Sequence, residues 1–214
     1  MPTATFYERY VKRAFDLAVA VTALATFSPA LLAIAVLVHL RHGSPVLFQQ
    51  QRTGLGGKPF NILKFRTMSD ECDEGGELLP DAQRLTKLGR WLRETSIDEL
   101  PELINVVRGE MSLVGPRPLL HRYLDRYSPL QARRHECRPG ITGWVAVNGR
   151  NSTTWPERFT MDLYYVENRG AWLDLVILVR TVKTVLNREN IDPGFAEQMP
   201  EFQGDIFSTA DVLT

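Results

Sequence analysis

Two neighbouring carboxylates, Asp98 and Glu99, stand in TSIDELPEL (Thr95 to Leu103), directly ahead of a proline and an apolar run. Paired acids are the equipment of glycoside hydrolysis, but there the two must flank the scissile bond across a gap of several Å, and neighbours on one turn do not. The other reading is structural: acids in a first helical turn face the positive end of the helix dipole, and Ser96 with Glu99 has capping-box spacing. Pro101 fits a first turn, so the sequence predicts a helix opening close to Asp98 and closing near Arg108-Gly109. In that position the Asp98 carboxylate meets unpaired backbone N–H groups that favour its charged form. Adjacent helical residues point in different directions, so each acid is free for a separate task.

Cations surround this pair in the sequence. FNILKFRT (Phe60 to Thr67) reads as a strand with Phe60, Ile62, Lys64 and Arg66 on one face. Arg117 lies between the two prolines of GPRP (Gly115 to Pro118), which restrict its backbone before any ligand arrives. Arg138 and Arg150 flank the turns RPGITG and VNGR. Single arginines are usually surface solubilisers, but four cations on rigid turns and a strand beside two acids form a candidate site. The glycine-lysine loop TGLGGKP (Thr53 to Pro59) is no phosphate-binding loop, because Pro59 follows Lys58 and no helix opens there. The acidic stretch Asp70 to Glu77 does not match a calcium loop and reads as solvated surface.

The elements that must position these groups fit one folded unit: 214 residues, 44% hydrophobic and 23% charged. The net charge of zero hides an asymmetry, because residues 1–68 carry eight Lys/Arg against two acids. A basic first third suits anionic lipid or phosphate, and the acidic remainder argues against a nucleic-acid binder. Cys72 and Cys137 lack metal-ligand spacing and suit idle thiols in a reducing compartment.

Leu17 to Leu40 contains no Asp, Glu, Lys or Arg, and a bilayer crossing needs about 20 such residues. Hydropathy alone therefore favours a spanning helix. Ser28-Pro29 interrupts the run, however, and each flanking half is about 16 Å long, roughly half the hydrocarbon thickness. Lys12-Arg13 and Arg41-His42 flank the run on both sides, which suits two ends on one membrane face. A helix-break-helix entering and leaving one leaflet is the competing reading. The run is too long for a cleaved signal peptide.

Beyond it, Pro45 to Arg52 and Phe60 to Thr67 predict a β-hairpin. Leu85, Leu88, Trp91 and Leu92 mark one face of a short helix, Met111 to Val114 is extended, and Trp172 to Leu186 is an apolar helix suited to the core or to a membrane surface. The fold class is mixed α and β, mainly helical with a hairpin, divided as a membrane segment 1–43, a catalytic domain 44–190 and a tail 191–214.

KRAFD (Lys12 to Asp16), Ser28-Pro29, QRTG (Gln51 to Gly54), KFRTM (Lys64 to Met68), DELPELIN (Asp98 to Asn105), SLVGPRP (Ser112 to Pro118), RPGITG (Arg138 to Gly143) and VNGR (Val147 to Arg150) occur in this order. Together they resemble the bacterial sugar transferases, the monotopic polyprenol-phosphate phosphoglycosyl transferases, over residues 8 to 190. Chain length and GELLPDAQRL (Gly76 to Leu85) are most similar to the small members that act on N,N'-diacetylbacillosamine 1-phosphate. The resemblance implies a re-entrant helix bent at Ser28 and Pro29, on the cytoplasmic face of the bacterial inner membrane and in contact with its lipid. It also implies a Mg²⁺-dependent reaction between a UDP-sugar and polyprenol phosphate. In that reaction Asp98 attacks the sugar-bearing phosphate and releases UMP, Glu99 serves Mg²⁺, and Lys64, Arg117 and Arg150 hold substrate phosphates. A non-enzymatic alternative is a membrane-pinned module that binds a nucleotide-sugar or anionic lipid. Oligomeric state is not legible.

Overall fold

Two extended runs and a glycine-rich connection give an antiparallel hairpin, Leu47–Thr53 (β1) with Pro59–Phe65 (β2), paired from Leu47 opposite Phe65 to Thr53 opposite Pro59. The structure is a computed structural model that describes residues 6–149, 153–187 and 200–204. Ahead of the hairpin lies a π-helical turn, Tyr7–Val11, and a long helix, Lys12–His42 (α1), closed by Gly43 at positive φ. Two short helices follow, Asp81–Arg84 (α2) and Lys87–Glu94 (α3), the second capped by the Thr86 hydroxyl, which accepts from the Gly89 N–H. Of the predicted apolar face, Leu92 is buried in α3 while Trp91 is exposed, and Leu85 lies just past α2.

The predicted helix opening at Asp98 is corrected. Ser96 is left-handed at φ 55° and its side chain caps nothing, so there is no capping box. The chain instead makes a 3₁₀ turn, Ile97–Glu99, and the α-helix runs from Glu102 to Arg108 (α4), with Pro101 at its N-cap and Gly109 closing it at φ 83°. Ser128 with Gln131 and Thr154 with Glu157 do form capping boxes, at the starts of Pro129–Ala132 (α5) and Trp155–Asn168 (α7).

Ser112–Val114 (β3) pairs in parallel with Gly140–Thr142 (β4), a strand in what the sequence predicted as a turn. The pair requires glycine on both sides. A Cβ on Gly140 would lie 2.1 Å from the Gly115 nitrogen, and one on Gly115 would lie 2.3 Å from the Arg138 carbonyl oxygen. Trp144–Asn148 (α6) precedes α7, and Ala171–Asn187 (α8) follows it.

α1 is long and apolar enough to cross a membrane, and only 6% of its most apolar stretch is buried, so it is no core helix. Both of its ends nevertheless pack on the same body. Near the start, Arg13 donates to the carbonyls of Val106 and Val107 at 2.6 and 3.0 Å, and buried Asp16 accepts from the Ser112 hydroxyl at 2.7 Å and the Leu113 N–H at 3.2 Å. Ala20 joins the main core with Phe60, Ile62, Leu103, Val106 and Ile177. Near the far end, Ile34 and Val38 pack with Phe65 and Leu92, and His42 bonds the Thr86 hydroxyl at 2.8 Å. Residues 25–30 between them are exposed. A spanning helix would carry one end away from the body, so this geometry fits the re-entrant, monotopic reading and overrides the hydropathy preference for spanning. Helical structure continues through Ser28-Pro29, with the Ser28 hydroxyl bonded to the Ala25 carbonyl at 2.8 Å beside the proline that lacks an N–H.

A second, aromatic core holds Leu119, Tyr123, Trp155, Phe159 and Phe202. At its edge, the buried His135 ring lies tilted 5.4 Å from that of Tyr127, and burial, with the Arg134 charge next, pushes its pKa down to about 3. The unfolded imidazole binds a proton below about 6.5, whereas the folded one stays neutral, so stability is lost as pH falls through that value. Relative to wild type, His135→Asn is expected to lose less stability between pH 7 and pH 5, the difference reaching about 2 kcal/mol by denaturant titration.

Candidate active site

The site begins with the reason α4 lies where it does. Asn105 accepts the Leu63 N–H at 3.1 Å and donates to the Asn61 carbonyl at 2.8 Å and to Glu110 at 2.7 Å, so one buried amide pins α4 along the free edge of β2. The turn just ahead of α4 is thereby set opposite Lys64. The Lys64 ammonium donates to Glu99 Oε1 at 2.5 Å and lies 3.2 Å from Glu102 Oε1, and Arg117 Nη2 reaches the same Glu99 oxygen at 2.6 Å. Three predicted residues from three separate segments, Lys64, Glu99 and Arg117, thus meet at one carboxylate oxygen. Burial alone would raise the Glu99 pKa, but the Arg117 and Lys64 charges overcome it and hold the group well below the usual carboxylate range.

Asp98 differs from its neighbour. It is buried, and among the described residues no hydrogen bond or ion pair holds its carboxyl. Burial, reinforced by the Glu99 charge, pushes its pKa up to about 6 against the pull of Lys64, Arg93 and Arg117. The expected stabilisation by helix N–H groups is therefore corrected, because the helix opens later. Glu102, which sequence reasoning did not single out, is buried deeper, and burial followed by the Glu99 charge pushes it up to about 7.

A cleft of about 1040 Å³ opens in front of these groups, lined by Lys64, Asp98, Glu99 and Arg117 together with Arg52, Arg93, Arg134 and Arg158. Arg134 is almost wholly buried. Its Nε and Nη2 donate to Asp162 Oδ2 at 3.0 and 2.7 Å, and Nη2 also donates to the Arg117 carbonyl at 2.8 Å. Arg52 Nη1 reaches the next carbonyl, that of Pro118, at 3.4 Å. Two cations, the buried Arg134 and the half-buried Arg52, thus fix the backbone that carries Arg117, in addition to the flanking prolines. Neither Arg134 nor Asp162 had any spacing signal in the sequence.

Two expectations end differently. Arg138 donates to the Gly109 carbonyl at 2.9 Å and serves the α4 terminus. Arg66, beyond the end of β2, pairs with Asp70 at 2.5 Å and the Pro45 carbonyl at 3.1 Å. Arg150 lies outside the described residues. Both cysteines are free thiols.

Among the described residues no three ligand side chains converge to cage a metal. The Glu99 carboxylate still offers Oε2, which takes no hydrogen bond among the described residues, beside the unpaired Asp98. That donor set fits Mg²⁺, which commonly takes one or two protein carboxylates and completes its shell with phosphate oxygens and water.

Residues 7–188 match the bacterial sugar transferase family. The chain is 55% identical over 181 residues to the uncharacterized sugar transferase EpsL of Bacillus subtilis (strain 168), covering 85% of this chain and 90% of the relative. It is 44% identical to the UDP-glucose:undecaprenyl-phosphate glucose-1-phosphate transferase of Caulobacter vibrioides (strain ATCC 19089 / CIP 103742 / CB 15), over 84% of this chain and 71% of that one. It is 40% identical to the UDP-N-acetylgalactosamine-undecaprenyl-phosphate N-acetylgalactosaminephosphotransferase of Aeromonas hydrophila, over 83% of this chain and 44% of that one.

Proposed function

The chain belongs to the bacterial sugar transferase family, and from that membership we propose that it moves a sugar 1-phosphate from a UDP-sugar to polyprenol phosphate and releases UMP. The observation that carries this reading is the pairing of a buried, unpaired Asp98 with a Glu99 clamped by Lys64 and Arg117 on one cleft wall. An Asp98 oxygen attacks the sugar-bearing phosphorus of the donor, and the bond from that phosphorus to the bridging oxygen breaks, so UMP departs with the oxygen. The phosphosugar remains on the carboxylate. A phosphate oxygen of polyprenol phosphate then attacks the same phosphorus, the bond to Asp98 breaks, and a diphosphate-linked lipid sugar leaves with the carboxylate restored.

A carboxylate approaching an anionic phosphate needs its repulsion cancelled, and Lys64 and Arg117 supply fixed positive charge at the point of attack. Arg117 presents its fork from a backbone already immobilised by Arg134, Arg52 and two prolines, so little ordering remains when the donor binds. Glu99, through Oε2, is the residue that would hold Mg²⁺. When bound there, the ion neutralises diphosphate charge.

The re-entrant α1 keeps the cleft at headgroup depth, where the phosphate of a lipid carrier lies, and its basic flanks suit the cytoplasmic face of the bacterial inner membrane. The test is a screen of UDP-N,N'-diacetylbacillosamine, UDP-glucose, UDP-galactose and UDP-N-acetylgalactosamine against undecaprenyl phosphate with Mg²⁺, read by UMP. One donor is expected to turn over well above the rest, with N,N'-diacetylbacillosamine the sugar assigned by resemblance. Folded protein that releases UMP from none of them would leave only a binding module.

A further inference from the structure

Phe202 lies in the short described stretch 200–204, beyond α8, yet its side chain is completely buried. Four rings enclose it, with centroids at 5.1 Å (Phe159), 5.3 Å (Trp155), 5.6 Å (Tyr127) and 5.8 Å (Tyr123). Polar contacts hold the backbone on either side. The Trp155 indole N–H donates to the Pro200 carbonyl at 2.8 Å, and Arg126 donates to the Phe202 carbonyl. Glu201 meets Arg126 at 3.0 Å and Arg122 at 3.1 Å. An aromatic plug with a matched polar rim on each side is a built seat, because a side chain resting casually on the surface would leave these carbonyls to water.

The two walls of that seat both lead to the cleft. Leu119, Tyr123 and Arg126 lie on the segment that continues directly from Arg117. Trp155 and Phe159 lie on α7, whose Asp162 holds Arg134, which in turn donates to the Arg117 carbonyl. The Phe202 ring fills the space between those walls, and without it they lose their shared packing partner. We propose that residues 200–204 form a strap and that Phe202 is a positioning residue, holding the Arg117 segment against α7 so that the arginine face meets the donor's phosphates in fixed geometry. The kinetic part of this inference rests on the proposed transferase reaction; the mechanical part does not.

The test uses the full chain with Phe202→Ala, Phe202→Leu and Glu201→Gln. In Phe202→Ala, amide exchange over residues 117–126 is expected to quicken at least about tenfold while the hairpin 47–65 exchanges as in wild type. KM for the UDP-sugar is expected to rise about tenfold with kcat within about threefold, and Phe202→Leu, which restores apolar bulk, is expected to recover most of the difference. Unchanged exchange over 117–126 in folded Phe202→Ala overturns the strap, as does a uniform quickening that includes the hairpin with KM unaltered. Should Phe202→Ala fail to fold, Glu201→Gln leaves the ring seated and is expected to raise KM about two- to threefold; an unchanged KM in that variant then overturns the proposal. If wild type itself shows no turnover, the transferase reading fails and the exchange pattern alone still decides the strap.

Discussion

Asp98→Asn protein, given UDP-sugar and Mg²⁺ but no polyprenol phosphate, is expected to release no UMP above background, a loss of at least about 10³-fold against the single-turnover burst of wild type. The amide keeps the size of the side chain and removes the nucleophilic oxygen. Its effect on folding is expected to be small or favourable, because burial and the Glu99 charge already disfavour a charged group at this position. Lys64, Arg117 and Glu99 do not bond Asp98, so their mutual contacts at Glu99 Oε1 stay intact. An unchanged melting temperature with abolished release therefore separates chemistry from structure. Retained release would remove Asp98 as nucleophile and favour direct, one-step displacement by the lipid phosphate.

Asp162→Ala is expected to destabilise the protein by about 3–5 kcal/mol, because it strands the buried Arg134 guanidinium without its carboxylate. Replacing both partners, as Arg134→Met with Asp162→Leu, is expected to return most of that stability, since an apolar pair of similar volume carries no uncompensated charge. Activity is not expected to return with it. The Arg117 carbonyl loses its donor at 2.8 Å in the double variant, and the arginine proposed to face the donor phosphates loses part of its support. Chemical denaturation and UMP release on the same three proteins check both halves, and a double variant that is stable and fully active would contradict the positioning role given to Arg134.

The hairpin was readable because two extended runs joined by a glycine-rich turn are a local signal, and the close of α4 was readable because Arg108-Gly109 marks a helix end. The start of α4 was not. The left-handed Ser96 that delays it is a conformation a serine rarely adopts unless its surroundings impose it. β4 escaped for a related reason: a three-residue strand whose partner is β3 shows its pairing only once Gly115 and Gly140 are seen back to back. Hydropathy measured the length of α1 correctly but carries no information on topology, which the contacts of Arg13 and Asp16 at one end and of Val38 and His42 at the other supply. In the site, Lys64, Asp98, Glu99 and Arg117 were legible because each sits in a motif. Arg134 with Asp162, and Phe202 with its four rings, are contacts between distant segments of otherwise ordinary composition, and no spacing rule reaches them.

The central claim is a bond between phosphorus and an oxygen of Asp98. Wild-type protein mixed with its UDP-sugar in the absence of lipid acceptor, quenched in acid and digested with trypsin, yields the peptide from Glu94 to Arg108. Mass spectrometry is predicted to find that peptide carrying one sugar phosphate located on Asp98, and to find the adduct gone once polyprenol phosphate is added before the quench. The adduct on another side chain, or UMP release that begins only with the acceptor and leaves no adduct, would contradict the account.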